Sequence, residues 1–116
     1  MAPARSDLLQ GTLDVLVLKT LSNGPMHGWG ISQRIQQLSQ DVLEVNQGSL
    51  YPALLRMKRR GWVKTSWRTT ENNRRARYYE LTPAGHKQLD AERASWDRAA
   101  RAIEAIMNAK LSLGDA

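Results

Sequence analysis

Hydrophobic positions recur at helical spacing in four segments of the chain, and a segment of strand character separates the last two. The first segment starts at a capping residue, Ser6 or Asp7, and Asn23-Gly24-Pro25 ends it, because proline cannot continue a helix. The second opens at His27-Gly28 and ends near Ser39. Its inward-facing side chains are predicted to be Ile31, Ile35 and Leu38.

The third helical segment follows residues 41–45, whose weak alternation of polar and apolar side chains predicts a short strand. Asn46 or Ser49 can cap this helix, and Pro52 is tolerated only in or near the first turn. Late cations and Gly61 mark its C-terminal end. The inward-facing side chains are predicted to be Leu50, Leu54, Leu55 and Met57.

A β-hairpin and a long helix complete the pattern. β-Branched and aromatic residues predict one strand over 62–70 and a returning strand over 77–81, with a turn between them. Thr82 caps the last helix, Pro83 is at its first position, and nothing breaks it before about Lys110. Its apolar positions follow a seven-residue beat that predicts a seam against another helix. They are Leu89, Trp96, Ala99 or Ala100, Ile103, Ile106 and Met107.

This order of elements predicts a mainly α fold with a small β-hairpin, namely a winged helix-turn-helix with a long C-terminal dimerisation helix. Residues 1–81 would form the DNA-binding domain and residues 82–112 the dimerisation helix. In this architecture the third helix can enter a DNA major groove while the hairpin touches the flanking backbone or minor groove. The last helix is roughly 40 Å long, more than one small domain covers, so we expect two copies to pair through it.

The charge distribution favours a polyanionic partner. The chain carries a formal net charge of +6, yet nine of its basic residues and only one acidic residue, Glu71, lie between Arg56 and Arg77. A solvated cationic face is the alternative explanation of such a segment. Its location on the third helix and the hairpin favours DNA, since arginines beside the hairpin turn can reach phosphate oxygens or a narrow minor groove.

Several classes of function are excluded or disfavoured by composition. The chain has no cysteine, so disulfide scaffolds, cysteine-ligated metals and thiol catalysis are excluded, and its two histidines have no companion ligands. We find no nucleophile–base pair, phosphate loop or carboxylate dyad, and expect neither catalysis nor a cofactor. No apolar run approaches the ~20 residues of a membrane helix. The N-terminus shows no secretory signal, so a cytoplasmic location is expected.

Short motifs between residues 47 and 85 resemble the PadR family of bacterial transcriptional regulators. They are the run 47–57 (Gln-Gly-Ser-Leu-Tyr-Pro-Ala-Leu-Leu-Arg-Met), Gly61-Trp62-Val63, Trp67, Arg75, Arg77-Tyr78-Tyr79, Leu81-Thr82 and Gly85. The resemblance covers about residues 8–90 and is to the short subgroup with a single C-terminal helix. One departure is Trp29, where the family usually has tyrosine.

The resemblance implies a homodimeric repressor that binds an inverted repeat, and some members respond to phenolic acids or flat aromatic drugs. The residues that would face DNA are Ser49, Tyr51 and Arg56 on the third helix and Arg74, Arg75 and Arg77 on the wing. Trp96 stands where some short members have a tryptophan in the dimer pore. Its expected surroundings in a ligand site are Leu8, Leu9, Asp14, Val15, Asp97 and Ala100.

Alternatives remain at two residues and for the function as a whole. Tyr51 suits either a DNA contact or half-buried packing, and Trp96 either binds a ligand or only packs in the interface. The protein as a whole could be a winged-helix adaptor that binds another protein, or a DNA-binding module without an effector. The concentrated basic charge argues against the adaptor.

Overall fold

The computed structural model describes residues 2–110, with side chains from residue 11 onward. Four helices and three short strands follow one another along this part of the chain. In order they are α1 (Ala2–Leu21), β1 (Met26–His27), α2 (Gly28–Leu38), α3 (Gln47–Arg59), β2 (Val63–Thr69), β3 (Arg75–Leu81) and α4 (Pro83–Asn108). The mainly α winged helix-turn-helix predicted from the sequence is confirmed.

The core lies between α1, α2, α3 and the base of the hairpin. Helices α1 and α2 contribute Val17, Leu18, Leu21, Ile31 and Ile35. Helix α3 and the sheet contribute Leu50, Ala53, Leu54, Met57, Val63, Tyr79 and Leu81. The first half of α4 packs across α1 and the end of β3, so that α3 and the hairpin are held on one body.

Two leucines that were predicted to face inward are exposed, and those predictions are wrong. Leu55 is 48% exposed. The buried positions of α3 are 50, 53, 54 and 57, so Ala53 takes the inward position that the hydrophobic pattern had assigned to Leu55. Leu38 is 66% exposed at the last position of α2, where the chain leaves the core.

Helix ends are fixed by side-chain caps. His27 Nδ1 accepts a hydrogen bond from the Gly30 N–H at 3.0 Å, so this residue precedes α2 as its cap rather than opening the helix. Asn46, not Ser49, caps α3, because its Oδ1 accepts from the Ser49 N–H at 2.8 Å. Thr82 caps α4 as predicted.

The start of α1 differs from the prediction. The helix begins at Ala2, ahead of the predicted caps Ser6 and Asp7, and Pro3 lies within its first turn. Proline is compatible with that position because the first N–H groups of a helix have no intrahelical acceptor. The side chains of Ser6, Asp7, Leu8 and Leu9 lie outside the described residues.

No strand forms at residues 41–45, and that prediction is also wrong. The Asp41 N–H donates to the Gln36 carbonyl at 2.9 Å and the Gln40 N–H to the Gln37 carbonyl at 3.1 Å. With Gln40 at φ 53° and Asp41 at φ 67°, these bonds close α2 in a Schellman-type turn. The strand that does accompany the hairpin is β1, which the sequence pattern did not reveal.

The three strands form an antiparallel sheet in the order β1-β3-β2. Each hairpin strand differs from its predicted range by one or two residues, since Arg75 and Ala76 belong to β3 rather than to the turn. In the register of the hairpin, Trp67 lies opposite Arg77 and Thr69 opposite Arg75. Asn73, at φ 60°, allows the chain to reverse between the strands.

Helix α4 leaves the core after its first turns. Gly85 lies so close to the backbone just before β2 that a Cβ atom would collide with the Trp62 carbonyl oxygen. Leu89 still packs against the core, but Trp96, Ile103, Ile106 and Met107 are exposed along the rest of the helix, Met107 to 75%. At 26 residues the helix is roughly 39 Å long.

Candidate nucleic-acid interface

Helix α3 presents a nearly uncharged outer face. Its buried positions all lie on one side, against α1, α2 and β2. The exposed positions on the remaining surface are Gly48, Ser49, Tyr51, Pro52, Leu55, Lys58 and Arg59. The two cations stand in the last turn, so the first half of this face offers a hydroxyl, a phenol and apolar groups.

Tyr51 is partly packed against α2 and partly exposed. Its ring lies over Gly28 at the start of α2, where a Cβ atom would be 2.6 Å from the tyrosine hydroxyl. The side chain is nevertheless 45% exposed. Gly28 therefore gives Tyr51 room to pack between two helices while part of the ring faces solvent.

Tyr51 continues onto the sheet through Tyr79. Burial raises the pKa of Tyr79 above its ordinary value of 10.0; the nearby Tyr51 phenol raises it further and the Arg77 guanidinium lowers it. Tyr79 therefore lies within electrostatic range of both Tyr51 on α3 and Arg77 on the hairpin. It shares one face of the hairpin with Arg75 and Arg77, because side chains alternate along β3.

That face of the hairpin carries a stack of two arginines on one tryptophan. The Arg75 and Arg77 guanidinium carbons lie 5.5 and 5.2 Å from the centroid of the Trp67 ring. Trp67 is 56% exposed, and both arginines are exposed as well. Sequence reasoning missed Trp67, although the two-residue alternation of the strands placed it on the side of both arginines.

On the opposite face of the hairpin, Arg68 contacts an aromatic ring and a carboxylate. Arg68 lies over the Tyr78 ring at 5.5 Å, and its guanidinium is 3.8 Å from the Glu80 carboxylate. The Tyr78 ring in turn meets His27 edge-on, with ring centroids 5.4 Å apart. Arg74 lies at the hairpin tip, exposed, with its backbone N–H bonded to Thr70.

The side chain of Arg56 is engaged by α1. Its guanidinium forms an ion pair with Asp14 of α1 at 2.7 Å, and its side chain is about one-third exposed. Burial raises the pKa of Asp14 above its ordinary value, although the charge and hydrogen bond of Arg56 act in the opposite direction. Arg56 therefore joins α3 to α1.

A groove between α1 and α4 surrounds Trp96. It consists of two adjoining cavities of about 250 and 170 Å³ that share Thr12, Val15 and Trp96. Asp97 lines the larger cavity and Ile103 the smaller. The structure brings Val15 and Trp96 together as predicted, whereas Ala100 lines neither cavity.

The described residues contain neither a candidate metal site nor a candidate membrane span. Among residues 2–110 we find no group of three histidine, cysteine or acidic side chains that could hold a metal ion. In the same part of the molecule, none of the helices has the length and apolar character needed to cross a bilayer.

Comparison with known proteins gives one family. Residues 17–91 match the model of the transcriptional regulator PadR-like family. A transcriptional regulator of Mycobacterium tuberculosis is 30% identical over 87 residues, which is 75% of this chain and 78% of the relative. A solved transcriptional regulator from Clostridium thermocellum has a TM-score of 0.76 at 27% identity, covering 85% of this chain and 93% of its own. The PadR-like transcription factor of Bacteroides fragilis has a TM-score of 0.72 at 26% identity, covering 90% and 98%.

Proposed function

The chain belongs to the PadR-like family of transcriptional regulators, and we propose that it is a homodimeric repressor that binds an inverted repeat. Members of this family regulate transcription and are not enzymes, which agrees with the absence of a catalytic constellation expected from the sequence. The observation that carries the proposal is the pair of exposed surfaces that α3 and the hairpin present, namely the outer face of α3 with Tyr51 and the Arg75–Trp67–Arg77 stack.

In the proposed complex, α3 enters the major groove and the hairpin lies on the flanking backbone or minor groove. Ser49 and Tyr51 face DNA from α3, and Arg74, Arg75 and Arg77 face it from the wing. Arg56 is assigned a structural role instead, because its guanidinium is bound to Asp14. Since the target is chromosomal DNA, the proposed place of action is the cytoplasm.

Dimerisation is proposed through residues 82–112, with residues 1–81 as the DNA-binding part. Ile103, Ile106 and Met107 form an exposed apolar row on α4, and a second copy of the helix would cover it. Two paired winged helices would present their α3 helices to major-groove faces about 34–36 Å apart. Leu89 contributes less than expected, because it already packs against its own domain.

The α1–α4 groove is the proposed site of a small aromatic effector. Trp96 offers a flat surface for stacking, and Val15 and Leu16 add apolar walls. Such a ligand would act by favouring a dimer geometry in which the two α3 helices no longer match the half-sites. A regulator without an effector is the alternative, and saturable quenching of tryptophan fluorescence by an aromatic compound, lost in Trp96→Leu, distinguishes the two.

Fluorescence anisotropy tests the DNA-binding proposal. The probe is a labelled duplex from upstream of the protein's own gene, compared with a scrambled duplex at low and at near-physiological salt. Specific regulation predicts about 10³-fold tighter binding to the native duplex, retained at the higher salt. If both duplexes bind equally and both lose affinity at the higher salt, the basic surface is only a general polyanion contact. A protein partner for α4 would then be the favoured explanation.

Dimerisation is tested by Ile103→Asp in sedimentation velocity. Burying two aspartates in the seam leaves their charges unpaired, so this variant should sediment as a monomer. Arg101→Asp places the same side chain on the opposite side of the helix and should remain dimeric. A dimeric Ile103→Asp would contradict the assignment of the seam.

A further inference from the structure

An exposed leucine stands in the middle of the outer face of α3. Leu55 projects away from the buried side of the helix, and at 3.6 residues per turn it aligns with Gly48, Pro52 and Arg59. It leaves almost half of its surface in solvent. The core does not account for this side chain, because the buried positions of α3 are already filled by Leu50, Ala53, Leu54 and Met57.

The row of outward-facing residues that contains Leu55 has no charged side chain before Arg59 that could hydrogen-bond to guanine. Gly48, Pro52 and Leu55 carry no hydrogen-bonding side chain, and the first cation in this row is Arg59, at the end of the helix. A guanine is usually read by an arginine or lysine that donates to its O6 and N7 atoms. A leucine at the centre of the face can only make apolar contacts.

The major groove offers one apolar group on its base edges, which is the C5-methyl group of thymine. We propose that Leu55 is a specificity-determining residue that packs against thymine methyl groups at the centre of each half-site. The inference rests on the proposed binding of α3 in the major groove and adds the base that this position selects.

The surroundings of Leu55 favour DNA over a protein partner. Lys58 and Arg59 follow it in the last turn of α3, and the neighbouring hairpin face carries Arg75 and Arg77. An apolar side chain on a helix that ends in cations, beside a cationic hairpin, matches thymine methyl groups that lie between two phosphate backbones.

Replacing thymidine by deoxyuridine in a bound duplex tests this inference. Deoxyuridine pairs like thymidine and lacks only the methyl group, so the change removes one apolar contact and no hydrogen bond. The duplex is selected from a random pool with the full-length protein, and each thymidine is then replaced in turn. Anisotropy gives the affinity of each duplex for the wild type, Leu55→Ala and Leu38→Ala.

The wild type should lose about fourfold in affinity for each contacted methyl group, the value expected for one buried methylene-sized group. Leu55→Ala should bind the thymidine and deoxyuridine duplexes equally at those positions, because the methyl group has lost its partner. Leu38→Ala removes an exposed leucine from the end of α2 and should retain the full sensitivity. Alanine is the strongest helix former, so Leu55→Ala should keep its folded structure, checked by thermal unfolding.

The possible outcomes separate this inference from the proposed function. Specific binding that no deoxyuridine substitution weakens would overturn the role of Leu55 and leave DNA regulation intact. Equal sensitivity in the wild type and Leu55→Ala would assign the methyl contact to another residue and also overturn it. If no duplex is selected over random sequence, both proposals fail, and Leu55 is then better explained as a protein contact.

Discussion

Trp67→Leu is expected to weaken DNA binding without changing the number of phosphates that the protein contacts. Arg75 and Arg77 both lie over the Trp67 ring, and each such contact at an exposed site is worth about 0.5–1 kcal/mol. Ordering a long side chain on binding costs about 0.5–1.5 kcal/mol. Loss of the ring removes two such contacts, so about 1–2 kcal/mol of this ordering cost falls on DNA binding. The dissociation constant should rise about five- to thirtyfold.

The assay is a salt titration of binding by fluorescence anisotropy. The logarithm of the affinity falls with the logarithm of the salt concentration by about 0.9 for each phosphate neutralised. Trp67→Leu should give a line parallel to that of the wild type but displaced to weaker binding. Arg75→Ala should give a line shallower by about one unit, because it removes one cation. Trp67→Phe keeps an aromatic face and should stay close to the wild type.

Two results would refute this reasoning. A Trp67→Leu line that coincides with the wild-type line would show that the stack does not organise the arginines for binding. A line as shallow as that of Arg75→Ala would show that an arginine without the ring no longer reaches its phosphate, so that contact number and not ordering has changed. An unchanged slope in Arg75→Ala would remove the wing from the interface altogether.

Gly85→Ala should destabilise the fold by several kcal/mol, of the order seen for strained or overpacked sites, because the new Cβ meets the Trp62 carbonyl; an unchanged urea midpoint would contradict this packing. The Arg56→Ala variant should lose about 1–3 kcal/mol of stability, because it leaves the partly buried Asp14 carboxylate without its partner, and an Arg56→Lys variant should recover part of that loss. Burial raises the pKa of Asp14 above 3.8, so the folded state binds this proton more tightly than the unfolded state. The contribution of Asp14 to the unfolding free energy should therefore decrease as pH rises from about 3.8 through the raised pKa. Asp14→Asn should abolish that decrease in urea titrations, and its persistence would contradict the assignment.

The sequence predicted a helix or strand well where the residues that stabilise it lie close to it along the chain. Thr82, Pro83 and the turn residues near 70–74 act through neighbours a few residues away, so the sequence alone was sufficient to place the last helix and the hairpin. The strand expected at residues 41–45 failed for the opposite reason. A strand needs a second strand beside it, and no periodicity in this segment shows that β1 and β2 already occupy the two edges of β3.

The candidate site was predictable in its charges but not in its arrangement. The wing arginines follow from composition, and Trp67 follows from strand alternation once the register is known. The family resemblance implied that Arg56 faces DNA from α3, and it gave no sign of the ion pair with Asp14. Asp14 is 42 residues away in the sequence, and such a contact is set by how α1 crosses α3.

Helices α3 and α4 both carry apolar side chains that their own domain leaves uncovered. A helix with one apolar partner shows one apolar face, whereas a helix with two partners shows apolar residues on two. In α4 the additional apolar residues were interpreted as a contact with another helix, because α4 is too long for one domain to cover. In α3 the additional apolar residue, Leu55, was wrongly assigned to the core. The amount of apolar surface that the fold leaves uncovered, rather than the pattern alone, is therefore the basis on which we expect a helix to meet another molecule.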